Sequence, residues 1–190
     1  MSPILGIVAS GNYPRVTNSY ESIATTSLSS NQTTITFSSI PATYKHLQLR
    51  VFARTNRAGN TQANMLIQIN SDSGSNYYPY HSVDGDGASA TASANGSTGT
   101  NINVNRLSGS TATASIYGAI IVDFLDYQNT NKYKTTRSIG GVDFNGTGAI
   151  NFSSGLWMST SAINRLDITT INGTADFIQY SSFALYGIKG

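Results

Sequence analysis

The sequence predicts an all-β fold: a jelly-roll-like antiparallel β-sandwich over residues 19–190, preceded by an irregular N-terminal arm over residues 1–18. Three observations predict it. About ten short apolar or alternating runs, rich in β-branched and aromatic residues, are separated by turn residues roughly every 8–12 positions, and no stretch holds a helical period. Asn-Gly, the strongest short turn signal, recurs at positions 95, 145 and 172. The longest apolar run, residues 114–127, puts Ile116, Ile120, Val122 and Phe124 on one strand face and Tyr117, Ala119, Ile121 and Leu125 on the other. Two apolar faces predict a central strand covered on both sides, and Gly118 with Ile120-Ile121-Val122 favours a strand over a buried helix.

Taken in order, residues 1–18 carry Pro3, Gly6, Gly11 and Pro14 among Ile4, Leu5, Ile7, Val8 and Tyr13, with no clean period, hence an arm outside the sheets. Residues 20–28 form the first strand and 29–32 a turn. In 33–40, Ile35 and Phe37 share a face opposite Thr34 and Thr36, and Pro41 ends the strand. Residues 45–54 alternate most cleanly, with Leu47, Leu49, Val51 and Ala53 inward and His46, Gln48, Arg50, Phe52 and Arg54 outward. After a polar loop over 55–62 come a strand at 65–70 and a short aromatic one at 77–82. Residues 84–100, built from Gly, Ala, Ser and Thr, read as the longest loop. Strands follow at 101–107, in the central run, and at 133–144, where Gly140-Gly141 signals a bulge. Asn145-Gly146 turns the chain into 149–153. Residues 156–158 hold the single Trp, and 166–171 with 177–188 make a last hairpin around Asn172-Gly173.

Composition bounds the function. Only 11% of residues are charged, the formal net charge is +2, and Ser, Thr, Asn and Gly fill the space. Such a charge carries no electrostatic footprint for nucleic acid. There is no cysteine, so no disulfide framework and no thiolate metal site, in keeping with folding in a reducing cytoplasm. No run approaches the ~20 apolar residues of a membrane helix, and residues 4–9 are too short, and lack the basic leader, for a signal peptide. Eleven Tyr against one Trp fit strand faces that are half wet.

Reaction chemistry is sparse. Glu21 is the single glutamate; Asp123 and Asp126 are the nearest carboxylate pair by a strand end, but three residues apart they point to opposite faces, against glycosidase use. His46 lies on a polar strand face, and His81 closes the aromatic run Tyr77-Tyr78-Pro79-Tyr80-His81, which offers Tyr77, Tyr78, Tyr80 and His81 as a surface contact for a sugar or a neighbouring subunit. Val83-Asp84-Gly85-Asp86-Gly87 brings two carboxylates into a glycine loop but lacks the other oxygen ligands calcium needs. Lys132, Lys134 and Arg137 form one basic group, and Arg50, Arg54 and Arg57 another; either could touch phosphates, but with no larger basic field around them both read as solvated faces or as partners of acidic neighbours. Catalytic, cofactor and metal sites are therefore not expected.

Four segments carry a resemblance. The opening Ser2-Pro3-Ile4-Leu5-Gly6-Ile7-Val8-Ala9-Ser10, the stretch Ile40-Pro41-Ala42-Thr43-Tyr44-Lys45-His46-Leu47, the stretch Asp126-Tyr127-Gln128-Asn129-Thr130-Asn131-Lys132-Tyr133-Lys134 and the ending Tyr180-Ser181-Ser182-Phe183-Ala184-Leu185-Tyr186-Gly187-Ile188 together resemble virion structural proteins of tailed bacteriophages, particularly phages of aquatic bacteria and cyanobacteria. The resemblance extends over the chain and brings no catalytic motif. It implies a non-enzymatic virion component assembled in the bacterial host cytoplasm, foremost a homotrimeric capsid decoration or cement protein. Its partners would be the major capsid protein or other virion proteins, with no cofactor, nucleic acid or membrane. The alternative it implies is a tail-fibre or receptor-binding head that takes host-surface glycan. Ile4, Leu5, Ile7, Val8 and Tyr13 are the expected assembly interface, because large aliphatics make a poor solvated tail.

Overall fold

The computed structural model describes residues 19–190; the arm residues Ile4, Leu5, Ile7, Val8 and Tyr13 lie outside the described residues. The described strands are β1 (Tyr20–Ser27), β2 (Thr34–Phe37), β3 (His46–Ala53), β4 (Gln62–Ile69), β5 (Tyr77–Gly85), β6 (Ala90–Ala94), β7 (Ile102–Ser108), β8 (Gly118–Phe124), β9 (Lys134–Asp143), β10 (Gly148–Trp157), β11 (Leu166–Thr170) and β12 (Ser182–Ile188). They build two antiparallel sheets, so the all-β sandwich read from the sequence is the fold. The sheets are unequal: eight strands in the order β1-β12-β3-β8-β9-β10-β5-β6, and four in the order β2-β11-β4-β7.

The alternating residues of β3 point as expected. Leu47, Leu49, Val51 and Ala53 are buried with Ile120, Val122 and Phe124 of β8 and Phe183 and Leu185 of β12. The small sheet contributes Ile35, Phe37, Met65, Ile67, Ile69, Ile102, Val104, Leu166 and Ile168 to the same core. Period-2 alternation puts one apolar row of each sheet into the layer between them. Several buried polar groups are tied down. The Trp157 indole N–H donates to Asp72 Oδ2 at 2.7 Å, and the Tyr77 hydroxyl donates to the carbonyls of Ile69 and Asp72. Lys134 is buried and its Nζ donates to the carbonyls of Asn129, Lys132 and Thr160 at 2.6, 2.9 and 3.1 Å, while burial pushes its pKa down. Gly187 lies against the ring of Tyr44, leaving no room for a Cβ.

The turn at Asn145-Gly146 forms as its chemistry requires. Both residues have positive φ, 62° and 109°, and the Phe144 N–H donates to the Thr147 carbonyl at 2.7 Å. Other expectations are corrected. Residues 84–100 are not one loop: β6 pairs with β5 from His81↔Ala94 to Gly85↔Ala90, and Asp86 caps the turn by accepting from the Ala88 and Ser89 N–H groups. An exposed edge strand of Ala, Thr and Ser has little intrinsic β signal and takes its conformation from its partner. Gly140-Gly141 makes no bulge; pairing with β8 and β10 runs through both without a shift. A Cβ on Gly141 would meet the Ala149 carbonyl at 3.0 Å, so close approach of strands accounts for that glycine. Residues 156–157 finish β10 rather than standing apart.

The last hairpin does not form either. β11 belongs to the small sheet and β12 to the large one, and a 3-10 turn at Ile171–Gly173 starts the crossing. Buried Phe177 lies on that crossing, with its ring edge-on to Phe183 at 4.9 Å. Arg54, expected outward, is buried: β3 ends at Ala53, the alternation stops, and the guanidinium turns toward the 110–116 loop. The central strand β8 is internal, between β3 and β9, but among the described residues it is covered on one face alone. Ile120, Val122 and Phe124 are buried, whereas Ile121 is 38% exposed.

Candidate functional site

The uncovered face of the large sheet is the candidate site, and its side chains form rows because antiparallel register puts paired residues side by side. One row is polar: Gln48, Asp123, Arg137, Ser154 and His81 are successive partners across β3, β8, β9, β10 and β5. Within it, Gln48 Nε2 donates to Asp123 Oδ1 at 2.9 Å and Arg137 Nε donates to Asp123 Oδ2 at 2.9 Å. The next row is apolar: Ile121, Ile139, Phe152, Val83 and Ala92 pair in turn across β8, β9, β10, β5 and β6, with Arg50 at the β3 end. Arg50 is held over the rings of Tyr20 and Tyr186, 5.3 and 4.8 Å from their centroids. The third row, Phe52, Ala119, Gly141, Ile150, Gly85 and Ala90, is apolar but low wherever a glycine or alanine falls.

This half of the sheet is turned inside out. On β9 and β10 the side toward the small sheet carries Thr136, Ser138, Asn151 and Ser153, with Ser138 and Ser153 hydroxyls 2.7 Å apart, while Ile139 (39% exposed), Ile150 and Phe152 (54%) face away. The result is a trough of about 910 Å³ over the apolar row, lined by Val83, Ala92, Ile121, Ile139 and Phe152 and closed on one side by the Asp123–Arg137 pair and His81. It continues over Ile150, Ala119 and Tyr117, whose ring stacks on Phe52 at 5.4 Å. A contiguous apolar surface with one neutralised ion pair at its margin can bury another apolar surface.

The residues singled out in the sequence separate. Tyr77 is fully buried, a correction of its expected surface role: pleating sends it into the core, stacked on Trp157. Pro79 and Tyr80 together oppose Gly155, between the pairs Tyr78↔Leu156 and Ser154↔His81. That bulge leaves Tyr78 and His81 exposed, while Tyr80 lines a small polar cleft of about 80 Å³ with Asn64, Asp84, Arg106 and Asn151. Asp84 is used there, paired with Arg106 Nε at 3.6 Å and hydrogen-bonded by Asn151, and Asp86 caps its turn, so the glycine loop gathers no cation site. Among the described residues no three His, Asp or Glu side chains gather to hold a metal, and no helix is long and apolar enough to cross a membrane.

The basic groups also disperse. Arg137 is in the polar row, Lys134 is buried and Lys132 pairs with Asp126 at 2.8 Å; Arg50 lies between tyrosines and Arg57 donates to the Gln62 carbonyl. Asp126, in a turn with φ 48°, accepts from Lys132 and from Lys45 at 3.2 Å, and its backbone N–H donates to His46 Nδ1 at 2.9 Å. The Lys132 hydrogen bond, reinforced by Lys45, lowers the Asp126 carboxyl from the usual 3.8 to about 2. A depressed carboxylate stabilises the fold above its unfolded pKa and loses that contribution as pH falls through the folded one. Asp126→Asn keeps the left-handed backbone available. The melting temperatures of wild type and Asp126→Asn should therefore differ at pH 6 and converge between pH 4 and pH 2. A difference that stays constant with pH would refute the role given to this carboxylate.

Compared with protein-family models, curated proteins and solved structures, the chain matches none.

Proposed function

We propose that this chain is a non-enzymatic structural protein of a tailed-phage virion, foremost a homotrimeric capsid decoration protein, that docks on its assembly through the outer face of the large sheet. One observation carries the docking surface: the reversed half-sheet, where Ile139, Ile150 and Phe152 face away from the sandwich and polar Ser138, Asn151 and Ser153 face in. An apolar row stretching over five strands with its margin charges already paired has the makeup of an interface core, from which unpaired charge is depleted. The virion assignment draws on the resemblance of the chain's ends and of residues 126–134. The partner is then the major capsid protein or a neighbouring virion subunit, and the protein resides in the particle. The second reading, a tail-fibre or receptor-binding head, draws on Tyr78 and His81, exposed on the same face and able to meet a sugar ring.

Ile139→Asp tests the proposal, since the side chain is already part-exposed and a carboxylate there leaves the core untouched. Expected are a wild-type thermal transition and at least a tenfold loss of incorporation into particles, counted against the major capsid protein. A capsid protein should be present in many copies and its loss should weaken the shell. Incorporation of Ile139→Asp at the wild-type level would overturn the docking face. Few copies per particle, with host adsorption lost in Tyr78→Ala and His81→Ala, would establish the second reading instead.

A further inference from the structure

We infer that the apolar trough is the seat of the chain's own N-terminal segment, residues 4–9, before the protein meets any partner. Three properties of the segment match it. First, Ile4, Leu5, Ile7, Val8 and Ala9 are apolar, and residues 2–14 contain no Asp, Glu, Lys or Arg, so nothing in them competes with the Asp123–Arg137 pair. Second, the lengths agree. The row from Ile121 on β8 to Ala92 on β6 crosses four strand spacings, about 19 Å at ~4.8 Å each. Residues 4–9, extended across the strands, span about 20 Å at ~3.3 Å per residue.

Third, the tether reaches. The chain enters β1 at Tyr20; β1 is the edge strand three places from β8, and Ile121 is in register with Thr25, five residues further along, so the path from Tyr20 to Ile121 is about 22 Å. Residues 9–18 can bridge up to about 33 Å. The segment can thus lie with Ala9 near Ile121 and Ile4 toward Ala92, its direction fixed by where β1 starts. A tethered occupant acts at an effective concentration of order millimolar, so it wins over a second copy of the chain at ordinary protein concentrations. The sequence itself argues for a cover. Residues 114–127 are apolar on both faces, and the described residues cover one.

The absence of native cysteine gives a clean test on the isolated protein. Paired variants Val8→Cys/Ile121→Cys and Leu5→Cys/Val83→Cys should form a disulfide within one chain, running as a compact monomer on a non-reducing gel. The control pair Leu5→Cys/Ser73→Cys, whose second position lies in the exposed turn between β4 and β5, should not. Deletion of residues 2–13 should raise the fluorescence of an added apolar dye severalfold and lower the melting temperature by the lost docking contribution, with the transition still cooperative. Disulfide-linked dimers as the main product would assign the trough to a second copy and overturn the inference, as would equal crosslinking to Ser73→Cys or unchanged dye binding after deletion. Because no virion enters the experiment, its failure is distinct from failure of the docking proposal.

Discussion

Removal of residues 183–190 should leave no soluble domain. Those residues are nearly the whole of β12, which lies one place in from the edge of the large sheet. β1 pairs with β12 alone, from Tyr20↔Ile188 to Ser27↔Ser182, so the deletion strands β1 as well and bares the edge of β3. Phe183 and Leu185 are fully buried, worth about 1.5–3 kcal/mol each. Added to two ladders of hydrogen bonds, the loss is comparable with the ~5–15 kcal/mol that holds a typical domain folded. The exposed strand edge then invites aggregation. Expression of the truncated chain should give insoluble protein by fractionation. A soluble product with a sharp melting transition would show that the sheet closes without its twelfth strand.

Arg54→Met should cost about 3–5 kcal/mol, because it removes several charge-assisted hydrogen bonds from buried carbonyls at once. Arg54 is buried, and its guanidinium donates to the carbonyls of Thr113 and Ile116 at 2.7 and 3.1 Å and of Ala112 and Ser110 at 2.8 and 3.4 Å. These donors hold the 110–116 loop, which joins β7 to β8 and so leads from the small sheet into the large one. Methionine fills the space but leaves four carbonyls short of a donor. Arg54→Lys should recover only part, since a compact ammonium has neither the fork nor the five donors of guanidinium. For a domain of this size the Met variant should melt roughly 6–20 °C lower. Equilibrium urea denaturation would measure it directly, and a loss under about 1 kcal/mol would refute the anchoring role.

Much of the frame could be read from residue order. Leu47, Leu49, Val51 and Ala53 announce the inward face of β3, Ile35 and Phe37 that of β2, and Asn145-Gly146 its hairpin, because each depends on local periodicity or turn chemistry. The candidate site was hidden for a physical reason. Alternation shows that a strand has two faces but not which one meets the rest of the protein. On β9 and β10 the ordinary rule, apolar inward, gives the wrong answer; the faint signal was the two-sided apolar character of residues 114–127. Tyr77, Tyr78 and Tyr80 looked like one aromatic edge, and the bulge opposite Gly155 that distributes them needs its partner strand to exist. Alternation over 45–54 sends Arg54 outward, and only the folded 110–116 loop supplies the carbonyls that make its burial tolerable.

The pairing of the first described strand with the twelfth bears on how the chain is made. A ribosome releases β1 long before β12, and at about 5–20 residues per second the wait is roughly 8–30 s. Throughout it, β1 has none of the backbone partners it finds in the finished sheet. The local pairs β9–β10 and β5–β6 can close early, whereas β12–β3 and β1–β12 must wait for the last strand to emerge. Nascent chains halted before residue 182 would therefore expose the β3 edge to chaperones, and the large sheet would be completed only after its final strand leaves the exit tunnel.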